Sequence, residues 1–308
     1  MIFITLVILA IIALPVLAEA RRKDMDATAR ADAKGDFATL SQGVTHYQWL
    51  GPARGPVAVC VHGLTTPSFV WYGLARGLAR FGYRVLIYDL YGRGYSDRVK
   101  GVQDQAFFLR QLNDLLDDQN ISGDVTLLGY SMGGAIATAF AATHPEKVRQ
   151  LILLASAGMG VGANRLTRFI AATLVIGDWL MLALFAWKHR KGCEAERALP
   201  SSVEGIIDLQ LNELKYKGFV PGVLASMRGI LAGTLKDEHG AIHRAGIPVL
   251  AVWGGKDAVI PLTAMGNLTE WSRDVRQDVI AGAGHGLTYT HTDAVLASIS
   301  DALRDGLT

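Results

Sequence analysis

Cysteine is almost missing from this 308-residue chain. The two present, Cys60 and Cys193, are too few for a disulfide framework and lack the closely spaced partners that a zinc site requires. No excess of one charge exists either: 30 Lys and Arg face 28 Asp and Glu, a formal balance of +2, so nothing electrostatic points to nucleic acid. The chain shows no internal repeat and no low-complexity stretch, which excludes solenoids and disordered arrays. Gly92-Arg93-Gly94 is not followed by the Gly-Lys-Ser/Thr of a phosphate loop. What is abundant is apolar surface. Half of the residues are hydrophobic and the mean hydropathy is +0.26, in a length that allows one large core or two modest ones.

The first segment concentrates that apolarity. Ile2 to Ala18 carries no charge, and Glu19 then leads into Arg21, Arg22 and Lys23. A run of this length sits at the short end of what crosses ~30 Å of hydrocarbon at ~1.5 Å per residue. Ala18-Glu19-Ala20 fits a signal-peptide cleavage site, but no Lys or Arg precedes the apolar run and the basic cluster follows it. Residues 1–23 therefore read as a retained membrane anchor that keeps the body of the protein cytoplasmic. The alternative is export after signal cleavage. Residues 24–42, rich in Ala and charge, read as a juxtamembrane linker.

From residue 43 short apolar runs alternate with helical stretches. Strands are expected at 44–50, 57–61, 84–89, 125–128, 151–154, 248–253 and 275–280. Helices are expected at 69–81, 106–120, 135–143, 262–271 and 292–307. Buried strands alternating with helices imply an α/β fold whose mostly parallel sheet is covered on both faces, with its site at the carboxyl ends of the strands. Residues 158–245 break the alternation, look helical throughout, and read as an inserted cap. Within it, Phe169, Leu174, Trp179, Leu180, Met181, Leu184 and Phe185 would form a greasy wall, with ordinary helix packing as the plainer reading.

Gly129-Tyr130-Ser131-Met132-Gly133-Gly134 follows one expected strand and opens an Ala-rich helix. A serine there sits on a tight strand-to-helix turn, and its hydroxyl needs a base to become nucleophilic. Of eight histidines, His285 in Gly284-His285-Gly286 follows the final strand and reaches the same rim. His62 reads as shaping its own turn, His144 as ending the nucleophile helix, and the other five as surface or structural. Asp257 in Gly254-Gly255-Lys256-Asp257 supplies the acid in the order Ser, acid, His. Asp89 competes, but it precedes the serine and reads as organising residues 89–96. The backbone N–H of Met132 and that of Leu64, in the turn His62-Gly63-Leu64, are the expected oxyanion donors.

These motifs resemble the α/β-hydrolase superfamily over roughly residues 44–307, and within it the capped carboxylesterase and monoacylglycerol-lipase-like members. The resemblance implies an eight-stranded sheet and a Ser131–Asp257–His285 triad. It also implies an acyl-enzyme route to hydrolysis of esters with an apolar acyl or alcohol part, with no cofactor or metal. Phe169, Trp179, Met181 and Phe185 are the expected pocket residues. Carbon–carbon hydrolysis or acyl transfer on the same triad is the alternative, and a non-catalytic binding protein on this scaffold a remoter one. The expected partners are a small ester or lipid and a membrane, not nucleic acid. Nothing in the sequence specifies an oligomeric state.

Overall fold

A computed structural model describes residues 2–160 and 164–306, without the side chains of Leu6 and Ile8. Val161–Ala163 of the expected cap and Leu307 of the expected last helix lie outside these residues. The chain opens with α1 (Ile2–Ala20) and a single turn α2 (Ala27–Arg30), then β1 (Asp36–Leu40), β2 (Gly43–Leu50) and β3 (Val57–Val61). Next come α3 (Tyr72–Arg80), β4 (Arg84–Tyr88), α4 (Gln105–Asp118), β5 (Val125–Tyr130), α5 (Met132–Thr143) and β6 (Val148–Leu154). Four helices follow without an intervening strand: α6 (Arg165–Ala172), α7 (Val175–Glu196), α8 (Ile206–Asn212) and α9 (Phe219–Arg228). The chain closes with α10 (Lys236–Arg244), β7 (Val249–Gly254), α11 (Thr263–Trp271), β8 (Arg276–Ile280), α12 (Leu287–Thr290) and α13 (Thr292–Asp305).

The eight strands form one sheet in the order β1-β2-β4-β3-β5-β6-β7-β8. Every pairing from β4 to β8 is parallel, and the β1–β2 and β2–β4 pairings are antiparallel. Alternate residues of the central strands feed two separate cores. Val59, Val61, Leu127, Leu151 and Leu153 pack under α4, α5, α10 and α11. Ala58, Cys60, Leu128, Ile152 and Leu154 pack under α3 and α13. That is why these strands are apolar on both faces rather than alternating. The α/β-hydrolase architecture expected from the sequence is present.

Two boundaries differ from those expected. The stretch read as linker holds β1, whose Asp36–Leu40 pair in register with Gly43–Tyr47 of β2 and bury Ala38. Its other positions are exposed or half-buried, so this edge strand has no apolar run to announce it. The inserted segment also ends before 245. Helix α10 packs on α5 and α11 as the crossover into β7, with Ile242 in the sheet core. The insertion returns at Leu235, whose N–H donates to the Gly158 carbonyl at 2.9 Å. Its two ends thus meet at one neck.

Helix α1 is apolar and long enough to cross a bilayer, by length and composition, with Ile2 and Phe3 nearly four-fifths exposed. Its far end is tied to the inserted helices. Glu19 is buried and accepts from the Gly218 N–H at 2.7 Å, and Arg22 donates to the Leu214 carbonyl at 2.7 Å. Lys23 donates to the Lys215 carbonyl at 3.0 Å and accepts from Lys217 N–H at 2.8 Å.

Candidate active site

Ser131 lies between β5 and α5 with φ 54° and ψ −119°, a backbone conformation that side-chain-bearing residues avoid. It is held there by its N–H to the Leu154 carbonyl (3.0 Å) and by its own carbonyl, which accepts from Gly134 and Ala157 N–H groups at 2.9 and 3.0 Å. The turn needs glycine on both sides for a steric reason. A Cβ on Gly133 would stand 2.0 Å from the Val61 carbonyl oxygen, and one on Gly129 would stand 2.4 Å from the Gly133 oxygen. Helix α5 can approach strands β3 and β5 this closely only without those carbons.

The residues selected by chain order meet at this turn. His285 Nε2 lies 3.0 Å from Ser131 Oγ, and His285 Nδ1 lies 2.8 Å from Asp257 Oδ2. The second oxygen of Asp257 accepts from the N–H groups of Val259 (2.7 Å) and Ile260 (2.8 Å), which fixes the carboxylate plane. The Asp257 side chain is fully buried, whereas His285 keeps partial access. The loops that carry them nest together because Gly254 and Gly255 lack Cβ atoms. Added carbons would lie 2.7 Å from the Ala283 and Ala281 carbonyl oxygens. Tyr130 donates its hydroxyl to the His285 carbonyl at 3.1 Å and places its ring beside the imidazole.

Leu64 lies in the wall of the adjoining cavity, and Met132 is the buried first residue of α5. The Gly63–Leu64 peptide is held through its carbonyl by His62 Nδ1 at 2.7 Å. His62 Nε2 accepts from the Leu90 N–H at 2.9 Å, so the proton sits on Nδ1 and is donated to Gly63. Burial lowers the His62 pKa to about 4, keeping the ring neutral. A trans peptide whose C=O is fixed on one side presents its N–H on the other.

Asp89, the competing acid, is engaged elsewhere. It accepts from the Ser68 and Tyr95 N–H groups at 2.9 Å and lies 2.7 Å from His46 Nδ1. Burial would raise its pKa, but His46 and these donors outweigh it and hold the carboxyl well below the usual range. His46 is accordingly a buried ion-pair partner rather than a surface residue.

A cavity of about 460 Å³ opens over Ser131 and His285. Met181 and Phe185 line it, as expected, together with Leu180 and Leu184. Phe169, Leu174 and Trp179 do not. Trp179 is about 200° around α7 from Met181, and its Nε1 donates to the Ile12 carbonyl of α1 at 3.0 Å. On α6, Ile170 and Thr167 face the cavity, while Phe169 is about half exposed. Val223 and Met227 of α9, Glu196 and Tyr289 also line it and were not expected from the sequence. Residues 181, 184, 185 and 188 share one helical face, a spacing that marks the wall once the phase of α7 is known.

The profile of the family described as alpha/beta hydrolase fold matches residues 56–292. A 2-hydroxymuconate semialdehyde hydrolase of Pseudomonas putida is 27% identical over 234 residues, covering 72% of this chain and 77% of its own. Lipase 1 of Psychrobacter immobilis is 26% identical over 245 residues, 79% and 73% of the two chains. Among solved structures, a bacterial membrane phospholipase A superposes with a TM-score of 0.70 at 18% identity, over 99% of this chain and 96% of its own.

Proposed function

Because the chain belongs to the α/β-hydrolase family, we propose that it hydrolyses carboxylic esters with an apolar acyl or alcohol part, with Ser131 as nucleophile. The observation that carries this is the Ser131–His285–Asp257 hydrogen-bonded series, at 3.0 and 2.8 Å, beneath a cavity with a largely apolar wall. Ser131 Oγ attacks the carbonyl carbon as its proton passes to His285 Nε2. The Leu64 and Met132 N–H groups hold the oxyanion. His285 gives the proton to the departing alcohol, and a water then repeats the sequence on the acyl-enzyme.

The lipase relative supports this reading, while the semialdehyde hydrolase keeps carbon–carbon hydrolysis on the same triad as the second one. Residues 1–23 are proposed to stay attached as a membrane anchor. Cleavage after Ala20 would detach Glu19, which is buried against Gly218. Arg21, Arg22 and Lys23 favour a cytoplasmic catalytic body, and a C-terminal green fluorescent protein fusion, which fluoresces only in the cytoplasm, tests it.

The deciding experiment is hydrolysis of p-nitrophenyl esters from acetate to palmitate by the purified full chain and its Ser131→Ala variant. The expected result is activity peaking at medium or long acyl chains and abolished in the variant. Folded wild-type protein inert toward every ester would overturn the esterase reading in favour of carbon–carbon hydrolysis.

A further inference from the structure

Arg93 is fully buried, yet no carboxylate lies within ion-pairing distance of it among the described residues. Its guanidinium is satisfied by neutral acceptors from three parts of the fold. Nε donates to the Leu64 carbonyl at 3.1 Å. One terminal nitrogen donates to the Tyr91 carbonyl at 2.9 Å and to Gln103 Oε1 at 2.6 Å. The other donates to the Gly222 carbonyl at 3.1 Å and to Ser226 Oγ at 2.7 Å, both on α9. Ser226 Oγ in turn donates to Gln103 Oε1 at 2.6 Å, closing a ring. Burying a cation without a counter-charge is expensive, and arginine's planar fork is the one side chain that can hold five acceptors in fixed directions.

The two ends of this fork touch the parts of the site that must cooperate. Leu64 carries the proposed oxyanion N–H. His62 already fixes the carbonyl of the peptide before it, and Arg93 fixes the carbonyl after it, so both torsions of Leu64 are constrained. On the other side, α9 presents Val223 and Met227 to the cavity, each one residue after a group that Arg93 holds. The Gly92 and Gly222 backbones come close enough there that a Cβ on Gly92 would touch the Gly222 Cα at 3.7 Å.

We propose that Arg93 is a positioning residue that couples the seating of α9 over the cavity to the alignment of the Leu64 oxyanion donor. This rests on the reading of Ser131 as an acylated nucleophile. Displacing α9 would take two of five acceptors from Arg93 and loosen the group that orients the Leu64 carbonyl. A substrate that packs against Val223 and Met227 of α9 therefore bears on the same helix that Arg93 holds.

The test uses the full chain in detergent, with Arg93→Met, Arg93→Lys and Ser226→Ala. Two rates are read: labelling of Ser131 by a fluorophosphonate, whose phosphonyl oxygen needs the same hole, and p-nitrophenyl butyrate turnover per titrated active site. Outright loss of one oxyanion donor costs ~10²–10³. Arg93→Met, which loosens the donor, is expected to slow both rates about thirtyfold or more with KM within about threefold. Arg93→Lys should recover part of the loss. Ser226→Ala, which removes one of five contacts and carries the test if Arg93→Met does not fold, should slow both about threefold to tenfold.

A purely structural Arg93 would lower the melting temperature and the titrated fraction but leave the rate per titrated site unchanged. That result in Arg93→Met or Ser226→Ala overturns the proposal and leaves the esterase reading standing. Wild-type protein that does not label at all removes both, since there is then no oxyanion hole to align.

Discussion

Replacing Asp257 by Asn tests the arrangement of the site at a single atom. The oxygen that accepts from Val259 and Ile260 must remain an oxygen, because two N–H donors face it at 2.7 and 2.8 Å. The new amide nitrogen is therefore forced toward His285 Nδ1, where Asp257 Oδ2 now lies at 2.8 Å. An NH₂ group there donates to Nδ1, which moves the imidazole proton to Nε2. Nε2 then cannot take the proton from Ser131 Oγ. Shape and burial are almost unchanged, so the melting temperature should hold within a few degrees. Turnover near neutral pH should fall by ~10⁴, or about 5.5 kcal/mol of transition-state stabilisation. The assay is kcat and KM on p-nitrophenyl butyrate, with thermal melting as the control. A variant within about tenfold of wild type would refute the assignment and turn attention to Asp89.

Three further outcomes follow from particular contacts. Gly133→Ala should yield no folded protein, since its Cβ meets the Val61 carbonyl, whereas Gly266→Ala in α11, which meets nothing within 4 Å, should gain about 0.5–1 kcal/mol in urea melts. Met181→Trp, which fills part of the cavity wall, should shift the preferred acyl chain shorter in the p-nitrophenyl series, and an unshifted profile would remove α7 from the acyl site. Burial holds the Glu213 carboxyl up at about 7, with Arg98 offsetting only part of it. The folded chain then keeps a proton that the unfolded chain gives up near pH 4.5. The stability this contributes is complete at lower pH and is lost as pH rises through 7. Buried His62 and His239, lowered to about 4, give an opposite slope below 6.5, so the readout is a difference. The melting temperature of wild type relative to Glu213→Gln should fall as pH rises from 5 to 8, and a difference constant with pH would refute it.

Much of the molecule was legible because its central strands, β3 to β7, are apolar and buried on both faces. Seven of the eight strands were expected, and Ser131, Asp257 and His285 each follow one of them. The eighth, β1, is an edge strand with one fully buried side chain, Ala38, and its sequence carries no more apolar signal than a linker. The cavity wall was half legible for a different reason. The first half of helix α7, residues 175–187, is apolar nearly all round because Trp179 packs on α1 while Met181 and Phe185 face the cavity. A helix with two apolar faces has no hydrophobic phase from which to tell inside from outside. Arg93 gave no signal, since an arginine in a glycine loop is ordinarily solvated.

The neck at Gly158 and Leu235 has a consequence for how such a protein can diversify. Everything from α6 to α9 hangs between two residues joined by one backbone hydrogen bond, while the spacing of Ser131, Asp257 and His285 is set by the pairing of β5 to β8. Loop-closure entropy grows only by about 0.6 kcal/mol for each doubling of length. A lineage could therefore lengthen, shorten or exchange most of the segment, so long as α9 keeps the acceptors of Arg93, while the strands that carry the proposed reacting groups stay in register. Substrate preference would drift in one part of the gene while the chemistry stays fixed in the other.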